Sequence, residues 1–141
     1  DIDHLYWRCS LMKILFDSRT GNVKRFTEKL PFECEQITES SCVDEPYVLL
    51  TYTTGFGDLS PRTRQFLESN HRWLVAVAAS GNRIWGDRFA RSADLIATMY
   101  HVPILHKFEL SGTATDVAHF IQEVHSIDNT NAKLSTKVGS A

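Results

Sequence analysis

Residues 17–23, Asp-Ser-Arg-Thr-Gly-Asn-Val, place two hydroxyls, a guanidinium, a glycine and an amide directly after a short apolar run. Such a stretch, leading from a strand into a helix, suits a phosphate. Unpaired N–H groups and the positive end of the helix dipole draw an anion, and Ser18, Thr20 and Asn22 add side-chain donors. Backbone donors and the dipole supply the field, so no lysine is required. Ser18, Arg19, Thr20, Gly21, Asn22 and Val23 are therefore candidate ligand residues. The same residues also fit a capped helix start with no ligand.

Two further loops carry glycines beside an aromatic residue. Thr53-Thr54-Gly55-Phe56-Gly57 follows a continuous apolar run. Its glycines let backbone approach a flat ligand, and Phe56 has the shape to cover a ring; a flexible connection with Phe56 folded into the core is the competing reading. Ser80-Gly81-Asn82-Arg83-Ile84-Trp85-Gly86-Asp87 follows a second apolar run. Trp85, set among small and polar residues, is better placed to stack on a planar ligand than to fill a core. Asn82 and nearby backbone groups have the chemistry to bond a ring edge. Gly86 and Asp87 complete this candidate set, although Asp87 reads first as the cap of the next helix. Gly81 and Gly86 have the spacing of a Walker A pair, but Asp-Arg follows where Lys-Ser/Thr would be needed, which excludes a triphosphate cradle.

A phosphate cradle with two aromatic-bearing walls suits a flavin mononucleotide better than a dinucleotide. No G-x-G-x-x-G follows the first apolar run, and no acidic residue is set to hold an adenosine ribose. A phosphoacceptor receiver fails on its central residue, since Thr53 and Thr54 stand where the acceptor aspartate belongs. Ser80 lacks the G-x-S-x-G setting of a nucleophile elbow.

Positioning three such loops requires strands that end together. Runs at 11–16, 33–37, 47–52, 73–79 and 103–110 read as strands, and segments at 22–30, 61 onward, 87–100 and from Thr113 or Thr115 onward read as helices. Ser60-Pro61 is a cap followed by a first-turn proline. This order predicts an α/β, three-layer sandwich: a five-stranded parallel sheet, order 2-1-3-4-5, with helices on both faces and a ligand at the carboxyl ends of the strands. Residues 12–127 read as one such domain, 1–11 as an N-terminal extension and 128–141 as a disordered polar tail.

Composition agrees with a globular domain. The chain has 141 residues, 43% hydrophobic and 23% charged, with a formal net charge of -2. That balance excludes a polyanion-binding surface, so no nucleic-acid partner is expected. No apolar run reaches the roughly 18 residues of a membrane span. Three cysteines without a C-x-x-C point to a reducing, cytoplasmic setting, and six scattered histidines predict no metal site.

Four segments, in order, resemble the NrdI family of flavodoxin-like proteins. Residues 16–26 are similar to its S-x-T-G-N-V-x-R-F phosphate loop, and 53–57 to its short flavin loop. Residues 79–86 are similar to its A-S-G-N-R-N-[WF]-G signature, with Ile84 where the family commonly shows Asn. Val102-Pro103-Ile104 and residues 107–113 are similar to its V-P and K-F-E-L-x-G-T elements. The resemblance implies FMN as cofactor, held by the residues named above, with the flavin rather than any side chain carrying the chemistry. It implies an accessory flavoprotein that supplies superoxide or peroxide to the dimanganese NrdF subunit of class Ib ribonucleotide reductase. Its partners would then be NrdF, a flavin reductase or other electron donor, and molecular oxygen. Arg62, Arg64, Arg83 and Arg88 are expected either as solvated surface or as a docking rim. A general electron-transfer flavodoxin and a cofactor-free binding module of the same fold are the alternatives.

Overall fold

In a strand buried on both faces, the pleat sends successive side chains to opposite layers, and both layers must be apolar. The computed structural model describes the backbone of residues 12–54 and 57–139 and the side chains of 12–54 and 57–128. Strand β1 (Lys13–Phe16) leads into helix α1 (Asn22–Glu28), and β2 (Cys34–Gln36) follows. Strand β3 (Tyr47–Thr54) is central: Val48 and Leu50 join one core, Tyr47 and Leu49 the other. The two-residue β4 (Asp58–Leu59) folds back antiparallel on the end of β3. Helix α2 (Pro61–Asn70), β5 (Leu74–Gly81), α3 (Arg91–Tyr100), β6 (Ile104–Glu109) and α4 (Ala114–Gly139) complete the chain.

Five strands run parallel in the order β2-β1-β3-β5-β6, with β4 paired to β3 outside that path. This is the expected doubly wound order, with the small antiparallel ribbon added. Val23 and Phe26 of α1 pack with Val117, Phe120 and Val124 of α4 on one face. Phe66 and Leu67 of α2 pack with Ala93 and Ile96 of α3 on the other. Phe26 stacks on Phe108 at 4.0 Å between centroids and meets Phe120 edge-on at 5.6 Å, joining α1, β6 and α4.

Local chemistry sets the ends of these elements. Ser60 caps α2, its Oγ accepting from the Thr63 amide at 3.0 Å, and Pro61 occupies the first turn. Thr113 and Asp116 cap α4 reciprocally: the Asp116 amide donates to Thr113 Oγ1 at 3.2 Å, and the Thr113 amide to Asp116 Oδ2 at 2.8 Å.

The segment expected as a helix from Asp87 divides instead. Residues 83–88 form a short 3₁₀ turn, bent where Gly86 takes φ 55°, and α3 starts only at Arg91. Asp87 is therefore not the cap: the capping position is Ala90, at φ 49°, with no side-chain cap bond. Helix α4 also continues past Asp128, where polar composition predicts an unstructured tail. No glycine or proline interrupts the chain between Gly112 and Gly139, so nothing in the backbone stops it. Among the described residues no helix is long and apolar enough to cross a membrane.

Candidate functional site

The carboxyl ends of β1, β3 and β5 open into one cleft of about 330 Å³. In a doubly wound sheet this is the switch point, where successive connections leave toward opposite faces. Ser18, Arg19, Thr20, Asn22 and Val23 line it from the first loop, and Thr53 and Thr54 from the end of β3. Ser80, Gly81, Asn82 and Trp85 line it from the third loop. Residues from three distant stretches of sequence thus share one cavity. Gly21, Gly57, Gly86 and Asp87 are described but do not line it, while Gly55 and Phe56 lie outside the described residues.

The first loop presents donors. Gly21 sits at the cap of α1 with φ 93° and offers no side-chain cap. By helix geometry the first-turn amides of Asn22 and Val23 have no intrahelical acceptor. Ser18 Oγ accepts from the Lys24 amide at 3.2 Å, and Asn22 Oδ1 accepts from Arg25 at 2.6 Å, so both side chains are locally oriented.

Beneath this loop lies a buried polar cluster. Asp17, 1% exposed, accepts from Ser60 Oγ at 2.5 Å and from Thr63 Oγ1 at 2.8 Å. Thr63 Oγ1 also lies 2.8 Å from Thr51 Oγ1, and Arg62 approaches Asp17 at 3.9 Å. The cluster joins the ends of β1 and β3 to the start of α2. No buried side-chain polar atom among the described residues lacks a partner.

The third loop is fixed by its own amides. Asn82 Oδ1 accepts from the Ile84 amide at 3.1 Å, and Glu109 Oε2 accepts from the Arg83 amide at 3.1 Å. The Arg83 guanidinium lies over the Phe89 ring at 4.6 Å. Ile84 is 79% exposed and Trp85 46%. Gly81 is required by close approach: a Cβ there would lie 2.5 Å from the Ala90 amide nitrogen.

Four lining residues were not among the candidate ligand residues: Tyr52, Ala90 and Leu110, and Arg88, which was expected only as surface or docking rim. Tyr52 and Leu110 sit at or just beyond strand ends, which was the available signal; Ala90 carries none. Of the arginines expected at a rim, Arg88 lines the cleft, Arg83 lies on the adjoining loop, Arg62 reaches Asp17, and Arg64 pairs with Asp58 at 3.0 Å. Arg19 and Arg88 are the basic residues of the lining, and the described lining holds no Asp or Glu. Clustered donors, two arginines and the aromatic residues Tyr52 and Trp85 in the lining fit an anionic ligand with a flat ring. Among the described residues no group of three or more His, Cys, Asp or Glu is placed to hold a metal ion.

Solved structures with this fold include a short-chain flavodoxin associated with a bacterial microcompartment, at TM-score 0.66 and 16% identity, covering 85% of this chain and 97% of that one. Oxidised flavodoxin 2 of Bacillus cereus aligns at TM-score 0.62 and 16% identity, covering 85% and 99%. Among curated proteins, Protein NrdI of Bacillus licheniformis is 55% identical over 118 residues, 83% of this chain and 90% of the relative. Protein NrdI of Macrococcus caseolyticus is 46% identical over 117 residues, 82% and 91%. The SPbeta prophage-derived protein NrdI of Bacillus subtilis is 42% identical over 123 residues, 84% and 95%. The NrdI flavodoxin-like family model matches residues 14–122, the span that builds the sheet and every described wall of the cleft, so the chain belongs to the NrdI flavodoxin-like family.

Proposed function

We propose that the cleft binds FMN and that the chain is an accessory flavoprotein of class Ib ribonucleotide reductase. A flavodoxin-like family implies a flavin, and the family name implies work with ribonucleotide reductase. The observation that carries the choice of FMN is a single cleft uniting the Ser18–Val23 loop, the end of β3 and the Trp85 loop, with two arginines and no carboxylate in its described lining. A dinucleotide needs a second phosphate-and-ribose site that the glycine pattern does not provide.

In this reading Ser18, Thr20, Asn22 and the first-turn amides hold the phosphate, with Arg19 adding charge. Thr53, Thr54, Gly55 and Phe56 border the ring on one side; Ser80, Gly81, Asn82 and Trp85 border it on the other. Bound there and first reduced by its electron donor, FMN would supply the electrons that take oxygen to superoxide or peroxide, the oxidant for the dimanganese centre of the NrdF subunit. The protein's own part is to orient the ring, limit water and present the exposed Ile84–Trp85 edge beside the basic Arg83 and Arg88. The electron donor is a flavin reductase or an equivalent protein, and the setting is the cytoplasm.

The test is the visible spectrum of the purified chain after FMN addition and desalting, then radical assembly on manganese-loaded NrdF with reductant and air. Retained flavin bands and a tyrosyl radical that requires this chain are expected. Flavin retention without radical formation would instead mark an electron shuttle. No retained flavin would leave a cofactor-free binding module.

A further inference from the structure

The turn leaving β6 forms a part of the cleft that the three ligand loops do not account for. Leu110 lines the cleft and is 48% exposed. Its φ is 55°, in the left-handed region that a bulky L residue rarely adopts. Two hydrogen bonds hold it there. The Leu110 amide donates to the Gly81 carbonyl at 3.0 Å, and Ser80 Oγ donates to the Leu110 carbonyl at 2.6 Å.

The same turn reaches the helix of the first loop. Lys29 Nζ donates to the carbonyls of Ser111 and Gly112, each at 3.2 Å. Gly112 packs so tightly on Phe26 that a Cβ would lie 2.7 Å from the ring. Glu109 accepts from the Arg83 amide. Residues 109–112 thus fasten α1 to the Trp85 loop, with Leu110, an exposed apolar residue, in the lining of the cleft between them.

A leucine here is unfavourable twice: the backbone would suit glycine or asparagine, and the side chain faces water. Strain of this kind, fixed by surrounding hydrogen bonds, concentrates at ligand clamps. A ring that covers Leu110 offsets the exposure. We propose that Leu110 is a ligand-contact residue forming a fourth wall of the site, its side chain packing on the ring system rather than the phosphate. This rests on the reading of the cleft as an FMN site.

The experiment measures dissociation constants for FMN and for lumiflavin, which has the ring but no ribityl phosphate, by flavin fluorescence quenching. The full chain is compared with Leu110→Asn and Leu110→Gly, both suited to the left-handed backbone, with thermal midpoints recorded in parallel. Losing the covered part of a leucine should weaken both ligands alike by roughly tenfold. Unfolding midpoints without ligand should stay level or rise, because the strain is relieved. Unchanged affinity for both ligands, or weakening of FMN alone, overturns the ring contact. If the unsubstituted chain binds neither ligand, the proposed function fails, and this inference with it.

Discussion

Gly81 does not have a left-handed backbone, yet it cannot carry a side chain, because a methyl there would meet the Ala90 amide nitrogen at 2.5 Å. Both partners are backbone, so neither can swing aside. Gly81→Ala is expected to cost roughly 1–3 kcal/mol or more of stability, read as a lower urea midpoint. Asp116 gives a residue-scale pH dependence. Burial opposes its charge, but bonds from the Thr113 backbone, His106 and the Thr113 hydroxyl outweigh burial and hold its pKa below the ordinary carboxylate value. Its contribution is fully present above the unfolded value of about 3.9 and is lost as pH falls through the lowered folded value. Asp116→Asn should therefore flatten the acid limb of the stability–pH curve. An acid limb identical in the two proteins would show that other carboxylates govern it. Cys34 is different: burial, with Glu33 nearby, pushes its thiol up to about 12, so it is inert near neutral pH.

Between elements, the decisive join is the Asp17 cluster. One carboxylate at the end of β1 takes hydroxyl bonds from Ser60 and Thr63 at the start of α2, while Thr51 on β3 bonds Thr63. The first loop and the end of β3 are thereby held to a common anchor. Asp17→Ala leaves buried hydroxyls without their acceptor and should cost roughly 2–3 kcal/mol. It should also weaken FMN, because the first loop and the end of β3 lose their shared reference. Stability lost with FMN affinity intact would mean that both hold their geometry without it. The Ser60-Pro61 cap was legible in the sequence, since its bonding is local. The Asp17 cluster was not, because its partners lie 43 and 46 residues away. The late start of α3 was likewise hidden, since the backbone conformations of Gly86 and Ala90 depend on how the loop closes on β5.

At the scale of the whole molecule, the cleft exists only where sheet order reverses, with β1 and β3 adjacent but their helices on opposite faces. A ligand that bridges loops from both halves should stabilise the entire fold. FMN at a hundred times its dissociation constant should add about 2.7 kcal/mol, a rise of roughly 5–10 °C in Tm. An unchanged Tm under saturating FMN would separate the cleft from the cofactor.

The sequence by itself determined the alternation of strands and helices, because strands covered on both faces must be continuously apolar and amphipathic helices must not be. It also determined the chemistry of the first and third loops, whose donors, glycines and tryptophan are contiguous. Only the tertiary structure decided which residues of these loops line one cavity, that Asp17 is a buried anchor, and that Leu110 joins the lining. Those outcomes depend on contacts between residues far apart in the chain, and local pattern carries no record of them.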